Sequence, residues 1–122
     1  NGLVGSEMCI RDSVYLHRAP VDFRKQINGL AVLVAESMQM DVFKPALYVF
    51  TNAARNRVKV LYWDGDGFCL WLKRLEKARF VWPLAHESDV LQLSGGQLNW
   101  LIGGYDIFRF APHEVLSFDA LT

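Results

Sequence analysis

The side chains able to make or break bonds are few, and their spacing argues against a catalytic centre. Asp22 stands just ahead of an apolar helical repeat, where a carboxylate accepts from the free amides of a first turn. Asp64 and Asp66 alternate with Gly65 and Gly67, the composition of a tight hairpin turn. The other acids are scattered, so no three carboxylates suggest a two-metal centre. His17, His86 and His113 have neither an i, i+4 nor a cysteine-paired spacing, which speaks against zinc. Cys69 lies inside an apolar run and reads as a small buried hydrophobe, and with Cys9 it gives no disulfide framework. Ser94-Gly95-Gly96 is too short for a phosphate-binding loop and reads as a helix start. No nucleophile has an evident base. The reading is non-enzymatic, with no catalytic residue, metal or cofactor.

Binding chemistry is better represented. Residues 44–79 carry eight basic groups against three acidic ones, a balance of +5, while residues 1–43 stand at −1 and residues 80–122 at −4. The formal net charge of zero is thus a cancellation, and such asymmetry can create a one-signed patch on a neutral protein. The candidate nucleic-acid-binding residues are Arg55, Arg57, Lys59, Lys73, Arg74, Lys77 and Arg79. Trp63, Trp71 and Trp82 are interleaved with them. Cations release counterions from phosphates, and exposed aromatics stack on unpaired bases. Against this stands a plainer arrangement, in which the tryptophans fill the core and the cations form a solvated rim. The acidic last third could also fold back and neutralise the basic middle.

The elements that must position these residues follow from periodicity. Apolar runs at Leu47–Phe50, Val58–Trp63 and Phe68–Leu72 have strand length and strand composition, with a shorter run at Phe80–Trp82. The Asp-Gly pairs between the second and third predict a hairpin. Phe23, Ile27, Leu30, Val34 and Met38 share one helical face, so a helix is expected from Phe23 to Gln39, capped by Asp22. Gly29 in its middle marks either close packing on the sheet or a weak spot. Val14–Leu16 reads as a short edge strand and Asp89–Leu93 as another strand. Ser94 caps a short helix ended by Gly103-Gly104. Residues 1–13 read as a non-native leader, residues 14–122 as one domain, and residues 105–122 as an arm. The expected fold is α+β: a twisted antiparallel sheet of four to six strands, one long N-terminal helix on a face and a short C-terminal helix. With 52% hydrophobic and 21% charged residues and no membrane-length apolar run, a folded cytoplasmic protein is expected.

Asp22-Phe23-Arg24-Lys25 followed by Gly29-Leu30 resembles the opening signature of the transposition accessory protein (TnpB, the second-open-reading-frame protein) of the insertion sequence 66 family. Leu47–Phe50, Val58–Asp64, Gly67, Leu70, Lys73–Glu76, Phe80 and Trp82-Pro83 resemble its central block. The chain departs from it at Ala53-Ala54, where many relatives carry arginines, at Asn56 and at Ala78. The resemblance implies a role in DNA transposition beside the element-encoded transposase and the insertion-sequence DNA, without an assigned chemistry. It leaves two expectations: an accessory protein touching DNA through a basic patch, or an adaptor that binds the transposase or a second copy of itself without touching DNA.

Overall fold

The computed structural model describes residues 13–108. Its elements are β1 (Ser13–His17), α1 (Ile27–Val32) running into a π-helical turn (Leu33–Ser37), β2 (Ala46–Thr51), β3 (Arg57–Trp63), β4 (Phe68–Arg74), β5 (Val90–Leu93) and α2 (Gly95–Ile102). The five strands form one sheet in the order β4-β3-β2-β1-β5. Three of the four pairings are antiparallel, but β1 and β2 run parallel. The all-antiparallel expectation is therefore corrected to a mixed sheet. Parallel neighbours need a crossover, and α1 with its π turn supplies it. β1 also lies inside the sheet, between β2 and β5, not at its edge. Ser13, assigned from sequence to a leader, is the first residue of β1, and residues 1–12 lie outside the described residues.

The helix expected over residues 23–39 is shorter, and a buried ammonium explains its late start. Asp22 does not cap it. Its carboxylate accepts from the Arg24 amide and guanidinium, while the helix N-cap is the extended Gln26. The carbonyls of Phe23 and Lys25, which a helix begun at Phe23 would commit to its own ladder, accept from Lys59 Nζ. The far end loosens into wide turns, with Met38 N–H reaching back to Leu33 O and Met40 N–H to Val34 O. Gln39 then stops the helix at φ +54°. What presses on Gly29 is the Lys25 side chain, whose Cβ would lie 3.0 Å from an added methyl, and not the sheet.

Side chains alternate across the sheet and build two cores. Under α1 lie Tyr48, Phe50 and Leu61 with Leu30, Val34 and Met38. On the opposite face Val14, Leu16, Val49, Val58 and Val60 meet Leu98 and Leu101 of α2. Phe80 and Trp82, expected as a strand, are irregular in backbone but buried in this second core, with Trp82 Nε1 donating to His17 O at 3.1 Å. The Asp64–Gly67 hairpin forms as expected, with Asp64 N–H on Gly67 O at 2.8 Å and Gly65 at φ +79°. α2 opens with the Ser94–Gln97 capping box, and Gly104 takes φ +92° just past its end. Of the C-terminal arm, Ile107 is buried in the α2-side core, and residues 109–122 lie outside the described residues. Among the described residues no helix is long and apolar enough to cross a membrane.

Candidate nucleic-acid interface

The basic residues are collected by strand direction. β2 ends and β3 begins at one end of the sheet, and β4 returns to that same end. Beyond the strands, Leu75 N–H donates to Asn56 O at 2.8 Å and Phe80 N–H to Arg55 O at 2.7 Å. Residues 75–80 are thereby laid along the β2–β3 turn. The Asn52 side chain holds that turn, its amide donating to Asn56 Oδ1 and its carbonyl accepting from the Asn56 and Arg57 amides. Arg55 there takes φ +59°.

Seven residues were expected to form the site, and they divide. Arg57, Arg74, Lys77 and Arg79 are exposed at this end, and Arg55 is half-buried beside them. Arg57 and Arg74 are direct cross-strand partners. By strand alternation both side chains project on the α1 face. Like charges placed so oppose each other and weaken the sheet. Arg74 pairs with Glu76 at 2.9 Å, with both groups largely exposed, so the solvent-screened pair offsets little of that repulsion.

Lys59 and Lys73 do not belong to the exposed set. Lys59 is 4% exposed, and its ammonium donates to Phe23 O at 3.0 Å and Lys25 O at 2.8 Å while lying 4.6 Å from the Phe23 ring centre. Burial, with a smaller push from Arg57, holds its pKa below the ordinary lysine value. Lys73 points to the other face and donates to Ile102 O at 2.9 Å, closing the carbonyl end of α2 where a cation is favoured. Each appears in sequence as one more cation of the middle third, and only the fold reveals its partner.

Two cations missed from sequence join the cluster instead. Arg24 borders a shallow groove of about 670 Å³ shared with Pro20, Phe23, Ala53 and Arg57. Lys25 and Arg24 also border a second one, of about 650 Å³, that runs to Leu70. The signal in the sequence is two adjacent cations, which the apolar period places in the first turn of the expected helix. Arg24 is bound to Asp22 at 2.6 Å, and that guanidinium holds the carboxyl down at about 2.

Among the described residues the interleaved tryptophans do not gather at this end. Trp82 is buried, Trp71 packs on the α2-side core, and Trp63 lies at the far end of β3. There Phe43, Trp63 and Phe68 contact one another with ring centres 4.9–5.6 Å apart, beside the Asp64–Gly67 turn. The molecule therefore has a basic end and an aromatic end flanked by acids.

Nor does the last third quench the cluster among the described residues. Asp89 is bound to Arg18 at 2.8 Å, and Asp106 accepts from the Phe108 amide. The two described histidines have structural partners: His17 Nδ1 is 2.7 Å from Ala19 O, and His86 Nδ1 accepts from Ser88 N–H, while His113 lies outside the described residues. Among the described residues no three His, Cys, Asp or Glu side chains lie close enough to hold a metal.

Comparison with known proteins places this architecture. Residues 12–112 match the model of the family described as IS66 Orf2 like protein. The chain is 36% identical over 93 residues to the uncharacterized protein y4hO of Sinorhizobium fredii (strain NBRC 101917 / NGR234), covering 76% of this chain and 80% of the relative. It is 34% identical over 90 residues to the uncharacterized protein y4jC of the same organism, covering 74% and 76%. No solved structure matches. The matched span takes in every strand, both helices and the whole basic end, and the chain belongs to the IS66 Orf2-like family of insertion-sequence accessory proteins.

Proposed function

We propose that this protein is a non-catalytic accessory of insertion-sequence DNA transposition, which acts with the element's transposase and contacts DNA through the basic end of its sheet. The observation that carries the reading is the exposed cross-strand pair Arg57 and Arg74, whose one acid partner among the described residues is the solvent-screened Glu76. Lys77 and Arg79 lie at the same end, and Arg24 and Lys25 border the grooves that run to Arg57 and Leu70. Like charges on directly opposite residues of a strand pair weaken the free protein, and an anion bound between them relieves that repulsion. A backbone phosphate has that charge and reach. The family membership supplies the biological setting for a DNA partner.

The test is a salt series of binding titrations on duplex and single-stranded DNA. Four phosphate contacts would give a log–log slope of about −3.6 on duplex. Arg57→Glu with Arg74→Glu should remove at least half of that slope. Absence of binding at low salt, or an unchanged slope in a folded double variant, overturns direct contact.

The aromatic end favours a second reading. Phe43 is 57% exposed against Trp63 and Phe68, the composition of a protein-docking anchor. In that reading the protein is an adaptor for the transposase without DNA contact. Its mark is co-purification that survives nuclease treatment and is lost in Phe43→Ser.

A further inference from the structure

Among the described strands β4 is an edge of the sheet, and its outer side has the features of a template. Asp64 N–H bonds Gly67 O and Leu75 N–H bonds Asn56 O, so the alternation of an antiparallel ladder is set at both ends of β3–β4. It turns the backbone groups of Cys69, Trp71 and Lys73 towards β3 and those of Phe68, Leu70, Leu72 and Arg74 outward. Among the described residues no backbone group bonds to those outward N–H and C=O groups. The strand is seven residues long and contains no proline. Lys73, a lysine of the kind that guards such edges, is drawn away to Ile102 O on the α2 face. The opposite edge, β5, has only four residues. Leu72, in the middle of the outward row, is 54% exposed.

We propose that the outer edge of β4 is a homodimer interface, on which a second copy of the chain pairs its own β4 antiparallel about a two-fold axis at Trp71. In the register of full overlap, Leu70 stands opposite the second copy's Leu72, and Phe68 opposite its Arg74. All four outward residues then complete hydrogen-bonded pairs, and one continuous sheet of ten strands results. Both leucines lie on the α1 face by alternation, so the exposed Leu72 is covered by an apolar neighbour. Charge also matches. Antiparallel pairing sets the basic end of each copy beside the Asp64–Gly67 turn and the Phe43–Trp63–Phe68 cluster of the other. Arg74 then lies over an aromatic ring, with Asp66 close by. A parallel arrangement would instead stack basic end on basic end. The contact is isologous, as most homodimers are.

The experiment is sedimentation of the full chain from micromolar to several hundred micromolar, with Leu72→Pro and Leu72→Lys. The Leu72 N–H points outward, so proline there removes a donor only from the intermolecular ladder. Dimers are expected for the natural chain. Dissociation constants should rise about a hundredfold in Leu72→Pro, since each protomer loses one ladder donor. Leu72→Lys should be monomeric with unchanged circular dichroism. Amide exchange at Leu70 and Leu72 of the natural chain should slow as protein concentration rises. A natural chain that stays monomeric overturns the proposal, as does dimerisation undiminished in a folded variant. If Leu72→Pro fails to fold, Leu72→Lys and the exchange series decide, and exchange that does not vary with concentration overturns it. Arg74 stands on both surfaces, so the DNA titrations are repeated on Leu72→Pro, which leaves every cation in place: a salt slope retained in that variant separates the interface from DNA contact.

Discussion

Replacing Lys59 by methionine separates a structural cation from a DNA-binding one. Methionine keeps an apolar stem of similar length and removes the ammonium. Two carbonyls, Phe23 O and Lys25 O, then lose donors at 3.0 and 2.8 Å in a site where the side chain is 4% exposed. Hydrogen bonds from a charged group contribute about 1.5–3 kcal/mol each, and the cation–π contact with Phe23 adds about 1 kcal/mol. Release from burying a charge offsets part of this, as the lowered pKa indicates. A net loss of about 3 kcal/mol follows, or roughly 10–20 °C in Tm for a domain of this size. Because those carbonyls tie down the segment ahead of α1, residues 23–26 should loosen first. Urea unfolding followed by circular dichroism measures the loss, and hydrogen exchange at residues 23–30 locates it. A cost below about 1 kcal/mol would refute the structural assignment. So would a stable variant whose DNA salt slope falls by about 0.9, since Lys59 would then be a phosphate contact.

Two further outcomes follow from local chemistry. Ser94→Ala removes the hydroxyl that accepts from Gln97 N–H at 3.0 Å and breaks the capping box of α2, which should cost about 1 kcal/mol in a denaturant titration. Tyr48 is buried, stacked on Tyr15 and bonded to Asp41 O at 2.8 Å, and burial pushes its phenol up to about 12 from an ordinary value near 10. The folded chain holds that proton more tightly than the unfolded one. Its contribution to stability is therefore complete below pH 10 and disappears as the pH rises through about 12. Tyr48→Phe should flatten that alkaline fall in a pH series of unfolding free energies, and an unchanged slope would refute the assignment.

Much of this molecule was legible because it is written in local pattern. Alternation and turn chemistry alone place β2, the β3–β4 hairpin and β5, and a serine at one end with Gly103-Gly104 at the other places α2. The charge asymmetry along the chain likewise points to the middle third. The fate of single cations was not legible. Lys59 and Arg57 stand two residues apart on one face of β3, yet one is buried under the segment ahead of α1 and the other is exposed at the strand end. That difference depends on carbonyls 34 and 36 residues away in sequence. The same contact shortens the first helix, against an apolar period that runs unbroken from Phe23. Strand order was hidden for the same reason: a parallel β1–β2 pair carries no local mark and follows only from how the crossover packs. Periodicity reports which face a residue prefers. Which partner waits on that face is decided by segments distant in the chain, and here that choice separates the cations that hold the fold from those left to meet a ligand.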